Sequence, residues 1–527
     1  MSLPTLPTLQ TDRVRAALPT ALTALVAGIA GVAGSYAVAG FTPGFVVAPI
    51  EAGLSKSMPG VVVTFAIQYL GSLGQKLNLA FAAVLGIGLF AGVALVGLAV
   101  ARRTAVGLAG AAATVALGWV AGAALTGDPV LAAGAAVPPA VVVTADAVAA
   151  PDADGADRPP APGRRRIVGS LAAVVGLSGV GYVLGKRNTP TTDGSLDAGD
   201  SEALTPTPGS SMADEGDEQE ATATPEPTER ERLLAAAEEQ SFDVDGMEPL
   251  LSENFYTVDI SSVKPDIDPD GWELTVTGAV EQEVTVGYDE IRSMEAENRF
   301  VTLRCVGENL NGKKMDTALW TGVPIMDIVK RAAPQSGCEC VMLRAADDYF
   351  EEFPLAAMEH GFLAYGMNGE LLPRAHGYPA RALIPGHWGE INVKWLTEIE
   401  ILDEEADGYW EKRGWHGTGP VNTVAKLHAV NNADGEVTVG GHAYAGTRGI
   451  ETVEVSTDGG STWQEATLTE PLPGDDVWRQ WKYSYEHPGS SHEVVVRAID
   501  GTGTLQPEEE SDAFPSGPTG WVSRTVR

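Results

Sequence analysis

The chain has 527 residues, enough for three or four units of ordinary domain size. Its 70 acidic residues against 35 basic ones give a formal net charge of −35, which excludes nucleic acid as a partner, because phosphate binding needs a basic surface. Three cysteines, Cys305, Cys338 and Cys340, are too few for a disulfide-built scaffold or a four-thiolate iron–sulfur cluster.

Residues 1–187 hold 7 acidic and 12 basic residues, so the acidity belongs to the remainder. A surface that acidic stays hydrated where salt screens its self-repulsion, and a salt-loving host is the simplest reason for it. In the first 187 residues, uncharged apolar runs at about 17–40, 77–101, 104–126, 129–150 and 167–185 each approach the length of ~20 residues that spans a bilayer. Five transmembrane helices are expected, with the shorter run 60–74, which contains Gln68, re-entrant or interfacial. Arg13 and Arg15, Arg102 and Arg103, and Arg164 to Arg166 all fall on one side in that count, placing the amino terminus inside and everything after Gly185 outside, in a multi-pass cell-membrane protein. All eight histidines lie at or after His360, so no span offers a bis-histidine haem site, and no CxxCH motif occurs, so no haem is expected in this chain. The few polar residues near the spans (Gln68, Lys76, Asn78, Asp128, Asp146) fit an anchor better than an ion path.

Residues 188–240 form a linker, rich in Thr, Pro, Ser, Asp and Glu up to 229, with Glu229–Gln240 expected as a short helix leading in. Residues 241–415 mix short alternating strands (272–278, 283–286, 300–305) with a helical stretch at 324–333, an α+β domain. Residues 416–527 read as strands alone (436–443, 450–456, 463–468, 479–485, 492–500) with glycine-rich turns, an all-β, immunoglobulin-like sandwich.

Within this acidic half, residues 371–397 concentrate Arg374, His376, Arg381 and Lys394, with His387, against the single acid Glu390. Salt bridges to the acidic surface would account for some of them; a dedicated anion site accounts for their clustering with Gly377, Gly386 and Gly389. Cys305 ends the alternating stretch 300–305 and is followed by Val306-Gly307, placing its thiol at a strand exit. A lone cysteine is more often a buried small hydrophobe, but Arg304 and a nearby anion site would favour thiolate character. Cys338-Glu339-Cys340 could be a metal or redox pair, although the one-residue spacing favours structural cysteines.

The ordered motifs Asn254-Phe255-Tyr256, Gly271-Trp272-Glu273-Leu274, Thr302-Leu303-Arg304-Cys305-Val306-Gly307, Trp320-Thr321-Gly322-Val323-Pro324, Tyr365-Gly366-Met367-Asn368-Gly369, His376-Gly377-Tyr378-Pro379-Ala380-Arg381 and Val393-Lys394-Trp395-Leu396 together resemble the sulfite oxidase family of molybdopterin enzymes. The segment 454–460 with Trp463 resembles that family's carboxy-terminal dimerisation domain. The resemblance implies a molybdenum–molybdopterin cofactor with Cys305 as the metal's thiolate ligand, and His376, Arg381 and Lys394 holding the pterin phosphate. By the same alignment Tyr256, Thr257, Asp347, Asn392 and Val393 line the cofactor, and Tyr349 is the catalytic tyrosine near the metal. Two places depart from sulfite oxidases proper: Thr257-Val258-Asp259 stands where they have Arg-Asn-His, and Glu308-Asn309-Leu310 where they have arginines. The expected function is oxygen-atom transfer to or from a small oxo-anion or sulfoxide, with electrons exchanged with a separate carrier protein or a quinone-linked partner and a possible homodimer through the last domain. A sulfoxide reductase of the same family is the alternative, and a membrane-anchored adhesion protein is the competing class.

Overall fold

A computed structural model describes residues 9–148, 176, 178–189, 227–335 and 337–527. Their contacts separate two compact units: Met1–Thr191 with Asp259–Asp266, and Thr192–Val258 with Ile267–Arg527.

The first unit is helical. Three of its helices are long and apolar enough to cross a membrane: Leu18–Ala39, Leu73–Thr104 and Gly107–Thr126. Of the five expected spans, these three are the candidates among the described residues. The run 129–150 folds as the 17-residue helix Ala132–Val148, which runs through Pro138 and Pro139 and is shorter than the other three. Most of the run 167–185, and Arg164 to Arg166, lie outside the described residues, as does most of the linker. The run 60–74 folds as two contiguous short helical pieces, Gly60–Phe65 and Ala66–Leu70, that end at Gly71, and is not among the three. In Gly107–Thr126 the buried positions are Gly110, Thr114, Gly118 and Gly122, one every four residues, so small side chains line one face and let neighbouring backbones approach. A Cβ on Gly122 would stand 3.2 Å from Ala132 Cα. Glu51 is buried and accepts from Asn78 Nδ2 (2.9 Å), Ser261 Oγ (2.7 Å) and the Ser262 amide (3.1 Å), which fixes the segment Asp259–Asp266 within this unit.

The second unit begins with the expected helix Glu229–Gln240, opened by a capping box between Thr228 and Glu231. Two five-stranded sheets follow. One runs in the order Val284–Gly287, Glu273–Gly278, Leu396–Leu402, Cys340–Ala345, Phe350–Pro354, with Glu273–Gly278 parallel to Leu396–Leu402 and the other pairs antiparallel. Its inward residues Leu274, Val276, Leu343, Phe353 and Ile399 share a core with the helix Ile325–Val329. The other joins Glu297–Arg304, Met315–Pro324, Phe362–Met367 and Glu370–Leu371, with Arg381–Leu383 also paired to Phe362–Met367. Met315–Pro324 is buried on both faces and so lacks the alternation that marks a half-exposed strand. Cys338 and Cys340 are joined to each other as a disulfide.

From Val424 the chain is all-β, in two antiparallel sheets. Glu436–Tyr444, Arg479–Glu486 and their neighbours form one; Ile450–Ser456, His492–Asp500 and Val522–Val526 form the core of the other. Val437, Val439, Val453, Val455, Trp481, Val494 and Val496 fill the space between them.

Candidate functional site

Cys305 follows directly on the strand Glu297–Arg304 and is the free cysteine of the chain. Its amide donates to the Lys314 carbonyl (2.9 Å), closing a loop back onto the next strand, where Arg304 pairs with Met315. Arg304, expected to favour the thiolate, is engaged with the structure around it. Arg304 is fully buried; its Nε is 3.0 Å from Glu308 Oε1, its Nη1 donates to the Asn422 carbonyl (2.9 Å), and its guanidinium lies over the Trp388 ring. Glu308 is held in turn by Lys426, and its Oε2 accepts from the Lys314 amide (2.9 Å). Glu308 therefore anchors the loop after Cys305. Burial pushes the Cys305 thiol up, with Lys314 opposing.

The basic segment converges as expected. Arg381, 4% exposed, donates from Nη2 to the Asn392 carbonyl (2.9 Å) and from Nη1 to the His376 carbonyl (3.2 Å), with its guanidinium over Trp320. Lys394 Nζ donates to the carbonyls of Val258 (3.1 Å) and Ala375 (3.4 Å), and Trp395 Nε1 to that of Arg374 (3.0 Å). The loop 374–377 thus sits between Arg381 and Lys394. Gly377 makes this possible: its φ is +113°, and a Cβ there would be 3.0 Å from the Cβ atoms of both Arg381 and Lys394. The His376 ring packs edge-on to Phe255 (5.4 Å), which stacks on Tyr256 and meets Trp320. His387 is not part of this group; its Nδ1 lies 2.9 Å from the Pro385 carbonyl, and burial lowers its pKa.

The turn Gly389–Ile391 joins the two halves of the site. A Cβ on Gly389 would be 2.8 Å from the Tyr256 hydroxyl and 3.2 Å from the Arg304 carbonyl, so this turn lies against both Tyr256 and the residue preceding Cys305. Burial, then the nearby Cys305, holds the Tyr256 phenol well above its usual range. Asn392 is locked by the Ile384 amide donating to Oδ1 (2.7 Å) and by its own Nδ2 donating to the Trp388 carbonyl (3.0 Å). Val393 is buried, and its carbonyl accepts from the Ala382 amide. Tyr349 reaches the same turn, its hydroxyl 2.9 Å from the Glu390 carbonyl. Of the remaining two expected residues, Thr257 is exposed beside Val258, and Asp347 Oδ1 accepts from the Tyr349 amide (3.1 Å), shaping the hairpin. Sequence reasoning missed Glu351, Glu390 and Glu411, whose carboxyls gather around Tyr349; the signal was that Glu351 shares the face of Phe353, two residues on.

These residues fit the cofactor that the resemblance implies. Among the described residues no group of three or more His, Cys, Asp or Glu is placed to hold a bare ion, so one soft thiol suits a metal that arrives with ligands of its own. Arg381, Lys394 and His376 around a loop with no room for a side chain at 377 suit a phosphate group.

Comparison with known proteins agrees. Residues 261–410 match the family described as oxidoreductase molybdopterin binding domain, and residues 420–514 the Mo-co oxidoreductase dimerisation domain. The chain is 30% identical over 341 residues to the mitochondrial sulfite oxidase of Homo sapiens, covering 53% of this chain and 62% of that protein. It is 27% identical over 308 residues to the sulfite oxidase of Arabidopsis thaliana, covering 45% and 77%. A solved structure, the sulfane dehydrogenase SoxCD from Paracoccus pantotrophus, aligns with 60% of this chain and 94% of its own at a TM-score of 0.43 and 19% identity. The chain thus spans under two thirds of the human relative's length; it carries a molybdopterin-binding oxidoreductase domain and a Mo-co oxidoreductase dimerisation domain, and over the part it shares it is similar to the sulfite oxidases.

Proposed function

We propose that this chain is a molybdopterin-dependent oxidoreductase that transfers an oxygen atom between a small sulfur-centred substrate and water. The observation that supports it most is the convergence of a free thiol at a strand exit, the turn Gly389–Ile391, and the Arg381–Gly377–Lys394 cradle. When bound, the cofactor supplies the two-electron oxygen exchange. The protein's part is to hold and orient. Cys305 would give the metal its protein thiolate; Arg381, Lys394 and His376 would grip the pterin phosphate; Tyr256, Thr257, Asp347, Asn392 and Val393 would line the cofactor. Tyr349 would present its hydroxyl to the exchanged oxygen.

The carboxyls around Tyr349 bear on the substrate. A cationic pocket suits a small dianion, whereas Glu351, Glu390 and Glu411 beside this hydroxyl suit a neutral oxo compound such as a sulfoxide. The three apolar helices would anchor the enzyme in the cell membrane with the catalytic unit outside, passing electrons to a separate carrier or quinone-linked protein. The all-β region, immunoglobulin-like in this proposal, would pair two copies, and the acidic surface would serve a salt-rich milieu. Turnover assays of the full chain with sulfite plus an electron acceptor, and with a sulfoxide plus a reduced carrier, test the function. Activity in one of them that Cys305→Ser abolishes supports it; full activity in the serine variant contradicts it.

A further inference from the structure

The Tyr349 hydroxyl oxygen lies 2.9 Å from Glu351 Oε2 and 2.9 Å from the Glu390 carbonyl oxygen. A phenol has one proton to donate, and a carbonyl oxygen can only accept. Both contacts are hydrogen bonds only if Tyr349 donates to the Glu390 carbonyl while a protonated Glu351 donates to Tyr349. The surroundings agree with that assignment. Glu351 is fully buried, in space that a Cβ on Gly408 would claim, and the Glu390 carboxyl fills the matching space at Gly417. Glu351 Oε1 and both Glu411 carboxyl oxygens are buried and accept no hydrogen bond from another described residue.

The titratable groups facing Glu351 are Tyr349, Glu411 and Glu390, all acids. The cations of the Glu411–Arg413 turn are engaged elsewhere, Lys412 over Phe350 and Arg413 over Tyr409, where its Nη1 donates to the Tyr409 carbonyl (2.6 Å). The Trp410 amide approaches Glu351 Oε2 at only 3.4 Å. Burial first, then Glu411 and Glu390, push the Glu351 carboxyl well above the usual carboxylate range.

We propose that Glu351 is held as a neutral carboxylic acid and acts through Tyr349 as the proton store of the oxygen-exchange reaction, a positioning residue rather than a ligand. The inference presupposes the proposed function. In the reductive direction an oxygen atom leaves the substrate and ends as water, which takes two electrons from the external carrier and two protons. One proton passes from the Tyr349 hydroxyl to that oxygen while the Glu351 proton replaces it on the phenol; the other comes from solvent. Glu351 is reprotonated from solvent between turnovers, and oxidation runs the same transfers backwards.

The test uses the purified full chain and its Glu351→Gln variant, which keeps the shape and can donate an N–H to Tyr349 but has no acid proton to pass on. Infrared spectra at neutral pH should show the carbonyl stretch of a protonated carboxylic acid, reduced by one group in the variant. Turnover should fall on the order of 10²-fold in kcat with KM little changed, and the alkaline limb of the wild-type pH profile should vanish. No protonated-acid band in the wild type, or a band and a pH profile unaltered by the substitution, would overturn the inference. The infrared readout does not depend on metal content, so failure of the acid is told apart from failure of the function. A chain that shows the band but never binds molybdenum loses the function, and with it the proton store.

Discussion

Lys426 Nζ lies 2.6 Å from Glu308 Oε1, and this buried pair ties the loop after Cys305 to the first residues of the all-β region. Around it, Lys426 Nζ donates to the Gly312 carbonyl (3.0 Å), Asn311 Nδ2 to the Leu427 carbonyl (2.9 Å), and the Leu427 amide to Asn311 Oδ1 (2.9 Å). The loop after Cys305 thus borrows its rigidity from the neighbouring domain. Lys426→Met leaves Arg304 as the charged side chain still paired with Glu308 and should destabilise the fold by ~3–5 kcal/mol, as breaking buried pairs does. Thermal unfolding of Lys426→Met, Glu308→Gln and the double variant should show a double-variant cost well below the sum of the single ones. Additive costs would mean that the two side chains do not act on each other.

Gly377→Ala should leave the global fold in place but disturb the loop 374–377. Alanine at a φ of +113° costs about 1–3 kcal/mol locally, and its methyl would press on Arg381 and Lys394. The expected result is a cooperatively folded protein that retains less pterin, seen by extraction and fluorescence of the oxidised pterin.

Arg381→Ala and Lys394→Ala should each weaken cofactor retention by about 1.5–3 kcal/mol, roughly 10- to 100-fold, because each removes a charge-assisted contact. The proposed phosphate grip fails if both variants keep full pterin content.

Burial, then Glu411, raises Glu390 to about 8 from an unfolded value near 4.5. With the folded pKa the higher, the stabilisation is fully present below about 4.5 and is lost as pH rises towards 8. Glu390→Gln should therefore make unfolding midpoints fall less steeply between pH 5 and 8 than in the wild type. An unchanged slope would show that the carboxyl is ionised throughout.

Where local physics decides the conformation, the sequence was readable. The helix Glu229–Gln240 stands where it was expected, and alternation located Ile450–Ser456 and His492–Asp500 to the residue. The cationic cluster around Gly377 was visible because positive charge is scarce in this half. Met315–Pro324 escaped because both of its faces are buried. Arg304 and Glu308 were misjudged for another reason. Beside Cys305 in sequence they looked like part of its chemistry, and only the fold brings in Lys426, more than a hundred residues away, to claim Glu308 for structure. Glu351 was hidden in the same way, inside an acidic stretch that resembles ordinary solvated surface.

The central claim is that this chain holds one molybdenum through Cys305. Elemental analysis of the purified full chain, with pterin quantified on the same sample, tests it most directly. The account predicts one molybdenum and one pterin-bearing cofactor per chain, with metal content or its spectroscopic signature changed in Cys305→Ser while the fold persists. Protein expressed in a molybdenum-replete, cofactor-competent host that is well folded yet carries neither molybdenum nor pterin would contradict it.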